Sequence, residues 1–162
     1  VRVSSSACRW PPMARRADAR QIHATSVAID GVAVLLRGPS GSGKSDLALR
    51  LIQAGAVLVA DDRCDLSVAR GRLFVSAPAA IRGLLEVRGL GILAMRHRAK
   101  APVSLVIDLV KPSAVERLPS ARRCRLATVT LPLLRLAPFE ASAAAKVALA
   151  VRSGGKGVVS AR

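Results

Sequence analysis

The chain has 162 residues, room for one domain with a proper core, and 51% of them are hydrophobic. With two Phe, one Trp and no Tyr, that core must be aliphatic, and aromatic platforms for single-stranded nucleic acid are all but missing. Lys and Arg number 26 against 10 acids, a net charge of +16, which leaves room for an anionic ligand or partner.

No apolar stretch approaches the ~20 residues of a membrane span, and no apolar segment follows the N-terminal arginines as a secretory signal requires. Cys8, Cys64 and Cys124 are odd in number and far apart, unlike a disulfide framework or a zinc site. These features point to a soluble, cytoplasmic protein. The charge is uneven: residues 24–81 carry six Lys/Arg against five acids, whereas residues 82–125 carry ten against three. A basic surface of that kind attracts phosphates, an acidic partner or nucleic acid, and an arginine-rich composition on ordinary solvated faces produces it equally well.

Residues 1–21 lack periodicity and read as a flexible leader, with Arg15, Arg16 and Arg20 crowded together. Because the first residue is Val, Met13 is a candidate for the true start. Residues 22–29 alternate as a strand, Asp30-Gly31 is a hairpin turn signal, and residues 32–37 form the next strand. Residues 38–45 then read Gly-Pro-Ser-Gly-Ser-Gly-Lys-Ser, a complete G-x-x-x-x-G-K-[ST] phosphate-binding loop between an apolar strand and a helical pattern. In such a loop (Gly38, Pro39, Ser40, Gly41, Ser42, Gly43, Lys44 and Ser45) the glycines let backbone N–H groups turn around phosphate oxygens. The helix start adds its positive dipole end. Lys44 would reach the β- and γ-phosphates, and the Ser45 hydroxyl would sit on Mg²⁺. The ordinary alternative is a ligand-free glycine turn.

The helix is expected over 45–54 and stops at Gly55, a suitable residue just past a helix end. A buried strand over 56–60 ends at Asp61-Asp62, where the carboxyl end of a strand in an open sheet is a ligand-binding position. Phosphoryl transfer needs a second metal anchor and a base for the accepting hydroxyl, and this carboxylate pair suits both. An Asp-rich turn is the bland reading of the same two residues. Asp108, closing the apolar run 103–107, is the second choice, with the look of a Walker B strand. A second hairpin is expected across Arg70-Gly71, glycine-punctuated short elements over 81–95, strands over 103–109 and 126–131, an Ala-rich helix over 140–152, and a tail over 153–162 that frays.

His23, the phosphate loop, Leu58-Val59-Ala60-Asp61-Asp62-Arg63 and Leu85-Glu86-Val87-Arg88-Gly89-Leu90-Gly91-Ile92, in that order and spacing, resemble the C-terminal catalytic domain of HPr kinase/phosphorylase. The resemblance covers about residues 22–150. It implies a single α/β domain over 22–152: a P-loop-containing mixed sheet flanked by helices, of the HPr kinase/phosphoenolpyruvate carboxykinase type. The implied function is a Mg·ATP-dependent serine kinase acting on an HPr-like phosphocarrier of the phosphotransferase system, with phosphorolysis as the reverse reaction. His23 matches the active-site histidine, and Asp62 the residue that takes the serine proton, with Asp61 beside it. Glu86 matches the second metal ligand after Ser45, and Arg117, in Ser113-Ala-Val-Glu-Arg117-Leu118, falls where a catalytic arginine neutralises charge. ATP and Mg²⁺ are the implied cofactors, and the family's hexamers imply a homo-oligomer.

The segment 131–138 departs from the family's pattern for dephosphorylation, and Met95–Pro102 is shorter than its usual loop. Kinase activity is therefore better supported than the reverse. A small-molecule P-loop kinase or ATPase, or a nucleotide sensor without turnover, fits the phosphate loop as well. A basic nucleic-acid binder has charge in its favour but no base-reading motif.

Overall fold

The computed structural model describes residues 20–154. Eleven strands and two helices follow in chain order. They are β1 Arg20–His23, β2 Thr25–Ile29, β3 Val32–Arg37, α1 Lys44–Gln53, β4 Val57–Ala60, β5 Arg63–Ala69 and β6 Arg72–Ser76. Then come β7 Leu84–Val87, β8 Gly91–Ala94, β9 Lys100–Leu109, β10 Arg122–Leu126, β11 Val129–Leu136 and α2 Ala143–Arg152. Arg20 and Gln21 belong to β1, so the expected leader gives way to structure two residues early, and its remainder lies outside the described residues. Of the expected tail, residues 155–162 lie outside them too.

Nine strands join in one mixed sheet. Its main path runs β1-β5-β6-β9-β3-β2-β4, with β11 on β9 and β10 on β11, while β7 and β8 pair separately as a hairpin. The long strand β9 is the spine. Its first residues pair antiparallel with β6, and Val106–Asp108 then pair parallel with β3 on one edge and β11 on the other. β3 lies between β9, to which it is parallel, and β2, to which it is antiparallel, and it is covered on both faces, so it is apolar without alternation. Ala33 and Leu35 pack into a core with Leu66, Leu73 and Val106. Val34 and Leu36 pack on the opposite face with Leu47 and Leu51 of α1 and Val147 of α2. Leu35 and Leu36 are each fully buried, worth about 2 kcal/mol apiece in removed apolar surface.

The turn chemistry behaves as its residues dictate. Asp30-Gly31 and Arg70-Gly71 all take positive φ, the conformation of tight hairpin turns whose twist matches the strands. Helix α1 ends as expected: Gly55 has φ 108°, Ala56 N–H donates to Leu51 C=O at 3.0 Å, and Gly55 N–H donates to Ile52 C=O at 3.0 Å.

Two expectations are corrected. The strand over 22–29 is two strands broken at Ala24, whose N–H turns aside to the Asp62 carbonyl at 3.1 Å. The strand over 126–131 is instead a hairpin between β10 and β11, turning at Ala127 with φ 53°. Among the described residues no helix is long and apolar enough to cross a membrane.

Candidate functional site

The break at Ala24 matters because of what lies opposite it. The pair β1/β2 runs antiparallel to β5 and β4, and the gap between β4 and β5 is Asp61-Asp62. Both long strands therefore interrupt their ladder at the same place. At Asp62 the chain turns with φ 64°, and Arg63 N–H closes a three-residue turn onto Asp61 C=O at 2.7 Å. A non-glycine residue in that conformation is strained, and such strain persists where surrounding structure enforces it.

Asp61 is buried at 7% exposure and fully engaged. Its Oδ1 accepts from the Ser45 hydroxyl at 2.8 Å and the Thr25 hydroxyl at 3.0 Å, and its Oδ2 accepts from Glu86 N–H at 3.0 Å. Thr25 Oγ1 also accepts from Asp62 N–H at 3.3 Å. A buried carboxylate is tolerable only with such compensation, and here it ties phosphate loop, strand break and β7 together. Asp62 points the other way. It is 62% exposed and pairs closely with His23 Nε2 from the end of β1.

The phosphate loop joins β3 to α1, as the sequence implies. Gly41 and Gly43 have φ 79° and 95°, open to glycine alone at little cost. Lys44 is buried, and its ammonium donates to the carbonyls of Gly38 at 2.7 Å and Pro39 at 3.0 Å. Burial lowers its pKa from 10.5, partly offset by Asp62 and Asp61. Beside the loop lies a cavity of about 490 Å³ whose wall includes Gly41, Lys44, Ser45, Asp62, Glu86 and Arg88. Cationic, N–H and carboxylate groups lining one cavity suit a phosphate chain with a divalent cation.

The structure thus brings Ser45, Lys44, Asp61, Asp62, His23 and Glu86 together, and it leaves two candidates out. Asp108 is held by Arg37 in a bidentate pair, Nε to Oδ1 at 2.7 Å and Nη2 to Oδ2 at 3.0 Å, at the ends of β9 and β3. Arg117 lines a different groove, with Val115, Leu134 and Val147, and has no place on the phosphate cavity. The arginine that lines the cavity is Arg88, whose guanidinium lies near Gly41. In the sequence Arg88 stands out only as part of the Glu86–Ile92 stretch, and Thr25, a lone threonine two residues after His23, carries no signal. Among the described residues no group of three or more His, Cys, Asp or Glu could hold a metal unaided. Mg²⁺ ordinarily takes one or two carboxylates and completes its shell with phosphates and water, so Ser45 beside Asp61 and Glu86 fits that habit.

A glycine-rich loop on a helix N-terminus, facing a buried carboxylate, gives this α/β domain the build of a P-loop fold. The chain belongs, more particularly, to the family of the HPr serine kinase C-terminal domain, whose profile matches residues 14–142. It is 47% identical over 73 residues to an HPr kinase/phosphorylase of Clostridium tetani, a match covering 45% of this chain and 24% of the relative. The corresponding protein of Bordetella pertussis is 42% identical over 109 residues, covering 60% and 35% respectively. The chain thus spans about a third or less of these relatives. Its fold matches the solved structure of the HPr(Ser) kinase/phosphatase from Coxiella burnetii with a TM-score of 0.74 and 28% identity, across 83% of this chain and 95% of that one.

Proposed function

We propose that residues 22–152 form a Mg·ATP-dependent serine kinase domain acting on an HPr-like phosphocarrier protein of the phosphotransferase system, in the cytoplasm. The observation that carries this reading is the split pair Asp61/Asp62, one carboxylate buried on the Ser45 hydroxyl and its neighbour exposed on His23. A plain phosphate-binding loop needs only the first. An exposed, oriented carboxylate at the cavity's edge is what transfer to a hydroxyl adds.

Asp62 accepts the proton of the attacking serine hydroxyl, and His23 holds its carboxylate in place. Lys44 exchanges its two carbonyl partners for phosphate oxygens, while the loop N–H groups orient the phosphate chain. Arg88 supplies positive charge where negative charge develops on the transferred group, a role that Arg117 is not placed to fill within one chain. Ser45, with Asp61 and Glu86, would hold Mg²⁺, which when bound would supply positive charge against the phosphates. Run backwards with inorganic phosphate as acceptor, Asp62 returns the proton to the leaving serine. Assembly into a homo-oligomer belongs to the same reading.

The test mixes the protein with Mg·ATP and a purified HPr-type carrier and looks for phosphoserine by mass spectrometry. Wild type is expected to label the carrier and Asp62→Asn to lose at least a hundredfold in rate, the usual scale of a general base. Equal labelling by both would refute the mechanism. ATP hydrolysis without any carrier labelling would favour a plain ATPase. The reverse reaction is read by supplying phosphorylated carrier and inorganic phosphate.

A further inference from the structure

On the other side of the phosphate loop lies a second cavity, of about 470 Å³, with a wall formed largely by Pro39, Leu109, Val110, Pro112, Pro138 and Phe139. Ser40, Gly41 and Phe139 border both cavities, so the two are neighbours across the loop and the phenyl ring. Phe139 is one of only two Phe in the chain, and it is 71% exposed. An aliphatic protein that spends an aromatic residue in solvent gains no stability from it.

The backbone that carries the ring is held in place. Arg50 of α1 donates to the Glu140 carbonyl at 3.2 Å and to the Pro138 carbonyl, so a single guanidinium grips the backbone on both sides of Phe139. Asp46, one turn earlier, fixes that guanidinium through Nε at 3.1 Å. The ring also presses on the loop: a Cβ at Gly43 would come within 2.9 Å of it. The same helix that receives the phosphates therefore also aims a flat apolar face at the adjoining niche.

We propose that this niche is the nucleobase subsite, with the base of a purine nucleotide stacked on Phe139 and resting against Pro39, Leu109 and Val110. The proposal rests on the nucleotide-phosphate reading given above, and it names where the rest of the nucleotide goes. A ring on a clamped backbone, resting on Gly43 and bordering both cavities, is suited to this, since base stacking needs a preorganised flat face more than polar edges.

Calorimetric titrations of ADP and of pyrophosphate, with Mg²⁺ present, separate the two ideas. For wild type, ADP is expected to bind more tightly than pyrophosphate. Phe139→Ala and Phe139→Leu are expected to weaken ADP roughly 5- to 100-fold, the range that base–aromatic stacking gives, and to change pyrophosphate less than twofold. Phe139→Trp is expected to retain ADP affinity and to show fluorescence quenching by ADP but not by pyrophosphate. ADP affinity unchanged in the Ala and Leu variants overturns the subsite while leaving the phosphate site standing. Equal loss of both ligands overturns it too, since Phe139 would then act by supporting the loop. Failure of wild type to bind pyrophosphate or ADP overturns both readings at once.

Discussion

Asp61 offers a sharp quantitative test, because its role is stated in hydrogen bonds that can be removed one chemistry at a time. Asp61→Ala strips the partner from the Ser45 hydroxyl, the Thr25 hydroxyl and Glu86 N–H together. The two hydroxyls can rotate toward other acceptors, but the Glu86 amide cannot. A buried donor left unpaired costs about 1–3 kcal/mol, and each lost bond to a charged acceptor removes about 1.5 kcal/mol or more. Relief of repulsion from Asp62 returns part of that, so the net loss should be near 3 kcal/mol. With a urea slope of about 2 kcal/mol/M, the unfolding midpoint should fall by about 1.5 M. Asp61→Asn is the control. Its amide can turn so that Oδ1 faces Glu86 N–H while Nδ2 donates to the two hydroxyls, and its midpoint should lie within about 0.5 M of wild type. The Asn variant should nevertheless bind Mg·ADP weakly, because the anchoring charge is gone. Urea melts followed by circular dichroism decide it. An Ala variant as stable as wild type would show that the buried carboxylate does not hold loop and strands together.

Asp108→Asn should leave Mg·ADP affinity within about twofold by calorimetry, because Arg37 and not the phosphate site holds that carboxylate; a large loss would restore it as a metal anchor. Gly43→Ala should abolish Mg·ADP binding, since φ 95° strains any side chain there and the new methyl would meet Phe139 at 2.9 Å. For Lys44 the sign follows from its lowered pKa: between that value and 10.5 the unfolded chain binds more protons, so stability rises with pH in that window. Relative to Lys44→Met, the wild-type protein should therefore gain stability as pH rises toward about 10.5, and a flat difference would contradict the burial of its charge. Cys64 is fully buried with its thiol pushed up by that burial, so with Cys8 and Cys124 replaced by Ser the native protein should resist a thiol reagent and label only on unfolding.

Local signals in the sequence carried much of the fold and site. The phosphate loop is fixed by covalent spacing, since glycine positions, lysine and serine fall within one turn of chain. The Asp-Gly and Arg-Gly turns were equally local, and so was the end of α1 at Gly55. What the sequence leaves unmarked depends on partners far away along the chain. Ala24 looks like any small strand residue; only the Asp62 carbonyl opposite it explains why the ladder stops there. The hairpin β10–β11 turns on Ala127 with φ 53°, a position without glycine, asparagine or aspartate to mark it. Arg117 and Arg88 show the same limit from the other side. Both are arginines in a basic stretch, and only the packing of β7 against the loop, and of residue 117 toward α2, distinguishes the one that lines the phosphate cavity.

Two adjacent aspartates on a regular strand would point to opposite faces and both remain in the ladder. Here the positive φ at Asp62 removes that residue from the ladder, and the chain resumes as β5 at Arg63, directly opposite His23. The turn therefore does two things in one step. It lets Asp61 stay inside, where the low dielectric strengthens its hold on the Ser45 hydroxyl, and it swings Asp62 to the surface beside the histidine. A buried, fully bonded carboxylate and an exposed one paired with a histidine have opposite surroundings, and a strained residue between two strands supplies both with neighbouring side chains. That is why the break in β1/β2 belongs to the site: Ala24 N–H turned toward the Asp62 carbonyl, and Thr25 bridging Asp61 to the Asp62 amide, brace the turn that Arg63 N–H closes.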